Sequence, residues 1–131
     1  MKSAVASPAL PIPVGPYSPA IRAGQLVFLS GQIPVDPSTG LLIVGDIAAQ
    51  TRRTLENMGL LLEAAGLTFA DIVRTTVFLA DMADFSAMNQ AYEEFFGPPY
   101  PARSTVQAAR LPRDARIEID AIAMTNDRPA V

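Results

Sequence analysis

Two segments in the last third of the chain each place an ionisable side chain inside a stretch that is otherwise typical of a buried strand. Arg103 lies in 101–106, Pro-Ala-Arg-Ser-Thr-Val, and Glu118 lies in 117–122, Ile-Glu-Ile-Asp-Ala-Ile. Arg and Glu side chains are rarely buried unless they are paired or take part in chemistry. A guanidinium binds a carboxylate through two parallel hydrogen bonds, and a carboxylate facing it can hold or polarise a water molecule. Such a pair would suit hydrolysis of a small organic acid.

Both side chains also have an ordinary structural interpretation. Arg103 could form an internal ion pair with Glu118 or Asp120 instead of binding a substrate. Glu118 shares a strand face with Asp120, and two buried carboxylates repel, so at least one of them needs a cation or water. The strand could equally be an exposed edge with both acids in solvent. In the functional interpretation Glu118 orients an attacking water, and we assign Asp120 to structure.

Four further residues are candidates for lining a site: Tyr17, Ser30, Gly31 and Asn89. Tyr17, which follows Gly-Pro, either packs on the core or brings a phenol to the rim of a pocket. Gly31 permits a ligand to approach backbone N–H groups, although Ser30-Gly31 could also be a plain turn. Asn89 borders a buried helical stripe, where a helix-to-loop hydrogen bond is the structural alternative. The sequence has no Gly-rich phosphate loop, metal-binding constellation or nucleophile elbow.

Composition excludes several classes of protein. The 131 residues are 50% hydrophobic and 18% charged with a net charge of −3, which indicates one folded domain, residues 1–131, and disfavours a nucleic-acid binder. The chain has no Cys and no His, so thiolate chemistry, thiolate zinc sites and Ser-His-Asp catalysis are excluded. Any proton transfer falls to Asp, Glu, Tyr, Lys2 or water, so the protein is either not an enzyme or catalyses a step with a low intrinsic barrier. Neither a signal peptide nor a membrane span is evident, and we expect a cytoplasmic protein.

The elements that must position these residues follow the order ββαβαββ. Residues 1–13 are Pro-rich and form an extended lead-in. Alternation and turn formers predict a hairpin turn at 23–25 and strands over 17–22, 26–30, 72–79, 103–109 and 116–124. Apolar residues at steps of three and four predict helices over 46–65 and 82–96. The stripes expected to be buried are Ile47, Thr51, Leu55, Met58, Leu62 and Ala65 in the first helix, and Phe85, Met88, Tyr92 and Phe95 in the second. Asp46 favours the start of the first helix, Gly66 its end, and Asp81 caps the second.

This order predicts an α+β fold with a sheet of mixed direction. Strand-helix-strand crossovers are right-handed, so both helices lie on one face of the sheet. The strands at 72–79 and 117–124 alternate apolar residues toward both faces, and a sheet that is apolar on both faces needs two covers. We therefore expect a second copy of the chain to cover the other face, which makes the protein an oligomer.

Taken together, these residues resemble the RidA/YjgF family, also known as L-PSP endoribonucleases. As an ordered set, Pro-Ala-Arg-Ser followed by Arg-Leu-Pro and Ile-Glu-Ile is specific. The matching segments are 14–18, 29–34, 71–73, 91–92, 95–96, 101–104, 109–112 and 117–119. The resemblance implies a chorismate-mutase-like fold assembled as a homotrimer, with three clefts at the subunit interfaces.

The resemblance also implies an activity, the hydrolysis of reactive 2-imino or enamino acids to 2-keto acids and ammonia, as in 2-iminobutanoate/2-iminopropanoate deaminases. It implies that Arg103 binds the substrate carboxylate and that Glu118 positions or activates water, without a metal or cofactor. An imine is electrophilic and hydrolyses unaided, so a pocket without His need only hold it, place a water and exclude competing nucleophiles. The residues that would line the cleft are Tyr17, Ser30, Gly31, Asn89, Arg103 and Thr105.

The chain departs from the family pattern at two positions. Thr105 stands where many members have Cys. The threonine keeps a small polar group in the pocket, and thiol-based switching is not expected without the Cys. Pro19 stands where Gln is common, at the pocket entrance. Two other functions stay open: a non-catalytic trimer that binds small carboxylates or partner proteins, and ribonuclease action, against which the acidic balance argues.

Overall fold

A six-stranded sheet with two α-helices packed against one face organises the chain. The computed structural model of the protein describes residues 1–125. The helices are α1 (Ile47–Ala64) and α2 (Phe85–Glu93), and the strands are β1 (Lys2–Val5), β2 (Ala20–Ala23), β3 (Leu26–Gln32), β4 (Ile72–Leu79), β5 (Ala102–Gln107) and β6 (Ile117–Met124). The strand order is β1-β2-β3-β6-β4-β5, in which β4 and β5 pair parallel and the other neighbours pair antiparallel. The predicted α+β fold with a mixed sheet is confirmed.

The N-terminal segment differs from the sequence prediction. Part of the extended lead-in forms β1, which pairs with β2 from Lys2↔Ala23 to Val5↔Ala20 and makes the element order βββαβαββ. Strand β2 also begins three residues later than expected, because Pro19 has no N–H for the ladder and lies just before it. The expected hairpin between β2 and β3 is present. Gly24 has φ 60°, as the first position of a type II′ turn requires.

Helix α1 agrees closely with its prediction. The side chain of Asp46 accepts a hydrogen bond from the Ala49 backbone N–H at 2.9 Å, which caps the first turn. Gly66 follows the helix with φ 75°, a left-handed conformation that ends it. The stripe predicted to be buried is buried, and it includes Leu55, Met58 and Leu62.

Helix α2 is shorter than predicted. Residues Met82–Asp84 form a 3₁₀ turn that is capped by Asp81, and the α-helix covers only Phe85–Glu93. The predicted stripe of α2 is also only partly buried: Met88 and Tyr92 are in the core, whereas Phe85 is 39% exposed. The Phe85 ring lies 5.7 Å from the guanidinium carbon of an arginine on a strand, described below.

The two faces of the sheet have different surroundings. Both helices pack on the face that carries the buried side chains Val27, Leu29, Val77, Leu79, Ile117 and Ile119. Neither helix covers the other face, called the open face below. Its apolar side chains include Leu26, Phe28 and Met124, which are 37%, 39% and 45% exposed. Among residues 1–125, no helix is long and apolar enough to cross a membrane.

Candidate active site

Arg103 projects from β5 toward helix α2. It pairs with Thr75 of β4, on the face of the sheet that the helices cover. Its Nη2 donates a hydrogen bond of 2.7 Å to Oδ1 of Asn89, and its Cζ lies 4.8 Å from the ring centroid of Tyr92 and 5.7 Å from that of Phe85. The hydrogen-bond partner of Asn89 is therefore this guanidinium, not the loop considered from the sequence.

The internal ion pair considered for Arg103 does not form. In the described part of the chain, no carboxylate oxygen lies within 4.0 Å of its guanidinium nitrogens. The strand register gives the reason. Arg103 shares a row across the sheet with Thr75, whereas Glu118 and Asp120 lie in alternate rows and project from the open face. The Arg103 guanidinium thus contacts one amide and two aromatic rings, and none of these groups neutralises its charge.

Glu118 lies on the open face of β6, against the backbone of β3. A Cβ atom built on Gly31 would come within 2.8 Å of the Glu118 Cδ and 2.9 Å of its Oε2. Glycine is therefore needed at position 31 for the carboxylate to occupy this place, and the approach of a ligand to Gly31 stays a prediction. Burial, and next the charge of Asp120, raise the pKa of the Glu118 carboxyl.

Tyr17 and Ser30 lie beside Gly31. Tyr17 is 55% exposed, so it is not a core residue, and it borders a mainly apolar cavity of about 220 Å³ that Gly31 also lines. The Oγ of Ser30 donates a hydrogen bond of 2.7 Å to the Ser18 carbonyl oxygen, which ties the loop before β2 to β3. Ser30 also lines a depression of about 370 Å³ on the open face.

One protomer therefore brings the predicted site residues together in two groups. The arginine cluster consists of Arg103, Asn89 and Thr105, and Thr105 lies on the same face of β5 as Arg103. The glutamate cluster consists of Tyr17, Ser30, Gly31 and Glu118. The sheet separates the two clusters, so a single chain does not place Arg103 opposite Glu118. Within residues 1–125, no three acidic side chains are placed to hold a metal ion.

The sequence pattern places Tyr92 only in the buried stripe predicted for the second helix. The structure adds that the Tyr92 ring lies against the Arg103 guanidinium. The signal that could have found this contact is helical spacing. Tyr92 is three residues after Asn89, a separation that places the two side chains on one face of a helix.

The sequence and the fold both match known proteins. Residues 8–125 match the sequence profile of the family described as Endoribonuclease L-PSP. The chain belongs to the RidA/YjgF family. This confirms the resemblance drawn from the ordered motifs, and the match covers every residue of both clusters.

Three members of the family illustrate the similarity. A RutC family protein of Pyrococcus horikoshii is 51% identical over 123 residues, which are 94% of this chain and 98% of that protein. A 2-iminobutanoate/2-iminopropanoate deaminase of Salmonella typhimurium is 48% identical over 127 residues, which are 95% of this chain and 98% of that protein. The crystal structure of Escherichia coli TdcF with bound serine superimposes with a TM-score of 0.87 at 43% identity, covering 93% of this chain and 98% of that one.

Proposed function

We propose that this RidA/YjgF family member hydrolyses reactive 2-imino or enamino acids to 2-keto acids and ammonia. The observation that carries the proposal is the guanidinium of Arg103, which Asn89 and Tyr92 hold in place while no carboxylate of the described chain pairs with it. Such a group is suited to bind the carboxylate of a small acid. The name of the Salmonella relative, a 2-iminobutanoate/2-iminopropanoate deaminase, supports the same reaction.

The working site is proposed to lie between copies of the chain in a homotrimer. Since the arginine and glutamate clusters lie on opposite faces of one sheet, they can act on one substrate only if they come from different protomers. Strand β5 is an edge strand, where a neighbouring copy can approach Arg103. The exposed apolar side chains of the open face favour the same arrangement, since another copy would cover them.

The chemistry follows from the two clusters. Arg103 holds the substrate carboxylate through two hydrogen bonds, which fixes the adjacent imine carbon. Glu118 accepts a hydrogen bond from a water molecule and takes its proton as the water oxygen attacks that carbon. Glu118 returns this proton to the nitrogen, which gives a carbinolamine. The hydroxyl proton of the carbinolamine then passes through Glu118 to the amino group, the C–N bond breaks, and ammonia leaves as the C=O bond of the keto acid forms. The raised pKa of Glu118 makes it a better base than an ordinary carboxylate.

The test is keto-acid release in a reaction in which a dehydratase generates the 2-imino acid. We expect the natural protein to increase the initial rate, and Arg103→Ala to lose at least about tenfold of that increase, because a charge-assisted bidentate contact is removed. Arg52→Ala is the matched control, because Arg52 pairs with Glu94 on the helix layer, outside both clusters. Equal rates with the natural protein, the Arg103 variant and no protein would refute the proposal.

A further inference from the structure

Tyr92 connects the arginine cluster to the buried centre of the sheet. Its hydroxyl forms a hydrogen bond of 2.8 Å with Oγ1 of Thr75, and its ring centroid lies 4.8 Å from Cζ of Arg103. Thr75 on β4 is the residue that pairs with Arg103 on β5. Thr75 is 0% exposed and Tyr92 is 5% exposed. Tyr92 of α2 thus contacts the side chains of both Thr75 and Arg103, which are paired on neighbouring strands.

We propose that Tyr92, fixed by Thr75, is a positioning residue that holds the Arg103 guanidinium in the plane that binds a substrate carboxylate. The inference rests on the proposed role of Arg103 as the carboxylate ligand. An arginine stem is flexible, and ordering it only when the ligand arrives lowers affinity. The Tyr92 ring attracts the cation across its face, and Asn89 accepts a hydrogen bond at its edge. Together they restrain both the tilt and the rotation of the guanidinium.

The hydroxyl of Tyr92 is not placed to exchange protons with a substrate. It is buried and bonded to Thr75, and burial is the main cause that raises the pKa of the phenol. The hydroxyl therefore stays protonated near neutral pH. The ring also stacks on Phe96, with centroids 4.4 Å apart and planes 24° apart. Thr75 and Phe96 hold the ring, and the ring is the part of Tyr92 that reaches Arg103.

A packing role and a positioning role of Tyr92 predict different effects of its replacement on ligand binding. Replacement of a packing residue lowers stability but leaves the relative affinity for charged and neutral ligands unchanged. Replacement of a residue that orients Arg103 reduces the preference for a carboxylate specifically. The informative quantity is therefore the carboxylate preference, defined as the Kd of 2-oxobutanamide divided by the Kd of 2-oxobutanoate, both measured by calorimetry on the full chain.

Three variants separate the two roles. Tyr92→Leu removes the ring, and we expect the carboxylate preference to fall about fivefold. The double variant Thr75→Val/Tyr92→Phe keeps the ring, leaves no buried polar group unpaired and releases the ring from β4. We expect its preference to fall less, by about threefold. Leu55→Ala is the control for core damage, because Leu55 is 0% exposed and belongs to α1, and its preference stays at the natural value.

An unchanged preference in Tyr92→Leu, or an equal loss in Leu55→Ala, overturns the positioning role. Should Tyr92→Leu fail to fold, the double variant decides, and an unchanged preference there overturns the proposal. Arg103→Ala is measured alongside. If it abolishes the preference while Tyr92→Leu retains it, only the role of Tyr92 is wrong. If Arg103→Ala leaves the preference intact, the proposed function of Arg103 fails and the present inference fails with it.

Discussion

Arg103 and Glu118 have surroundings that suit them to opposite tasks. Arg103 is held by a neutral amide and a tyrosine ring, and no carboxylate of the described residues pairs with it. Glu118 is partly buried near another acid, and its pKa is raised above the ordinary value of 4.5. The proposed hydrolysis uses both groups: the guanidinium binds the substrate carboxylate, and the carboxylate with increased proton affinity accepts the water proton.

Gly31→Ala tests whether the position of Glu118 matters. The added methyl group would come within 2.8 Å of the Glu118 carboxyl carbon and displace it, which we expect to lower keto-acid release about tenfold. Because the displaced atoms are the end of a flexible side chain, the thermal unfolding midpoint changes little. Gly97→Ala is the control, since a Cβ there meets no atom within 4 Å. Full activity in Gly31→Ala would contradict the role given to Glu118.

Titration of Glu118 followed by carbon NMR of its carboxyl group tests the electrostatics directly. We expect a midpoint above 4.5, and a lower midpoint in Asp120→Asn because the neighbouring negative charge is removed. The raised pKa means that the folded state binds this proton more tightly than the unfolded state. The contribution of Glu118 to stability is therefore fully present below pH 4.5 and is lost as the pH rises through the folded pKa. A midpoint at or below 4.5 would contradict this description.

At the scale of elements, each cluster depends on one helix. Helix α2 supplies the two side chains that hold Arg103, at a spacing of three residues. Helix α1 supplies Asn57, whose Nδ2 donates hydrogen bonds to the Val35 carbonyl at 2.8 Å and to the Ile33 carbonyl at 3.3 Å. These carbonyls lie just after β3, so α1 fixes the chain that follows Gly31.

Asn57→Ala is expected to destabilise the protein by about 1–3 kcal/mol, because it leaves the buried Val35 carbonyl without a donor. The free energy of unfolding from urea denaturation measures this loss. Thr51→Val, on the same helix, is the matched control. Thr51 is buried, and its Oγ1 has no hydrogen-bond partner in the described range, so its removal should leave stability unchanged or raised. Equal losses in the two variants would show that the Asn57 hydrogen bonds do not stabilise this region.

At the scale of the whole molecule, the sheet supports both clusters and keeps them on opposite faces. Alternate residues of a strand project to opposite faces, so β5 directs Arg103 toward the helices while β6 directs Glu118 to the open face. No rotamer change within one chain can bring them to the same side. The proposed reaction therefore depends on assembly, and a protomer by itself has two incomplete halves of a site.

Mixed trimers test this dependence. Chains with Arg103→Ala and chains with Glu118→Gln are each expected to be inactive. If the chain forms the proposed homotrimer, co-expression with two affinity tags yields trimers that contain both. Each mixed trimer then has one cleft with a natural Arg103 and a natural Glu118, so we expect about one third of the natural activity. A chain carrying both substitutions, mixed with Glu118→Gln chains, should restore nothing. Absence of recovery in the first mixture would contradict an intermolecular site.

Local features of the chain could be predicted because their causes lie within a few residues. The bounds of α1 follow from Asp46, Gly66 and the apolar stripe between them, and the β2–β3 turn follows from Gly24. Strand β1 could not be predicted, since it exists through pairing with β2 and carries little apolar alternation of its own. The apolar periodicity over 82–96 likewise did not mark the limits of α2, which is preceded by the 3₁₀ turn Met82–Asp84 and ends at Glu93.

The amino-acid sequence by itself determined which side chains are exceptional: an arginine and a glutamate among apolar neighbours, and a glycine at the end of a strand. Only the tertiary structure decided which of them meet. It placed Glu118 against Gly31, set Arg103 on Asn89 and Tyr92, and kept the two charges on opposite faces. The physical reason is that strand alternation depends on register between distant segments, which nothing in the local sequence encodes.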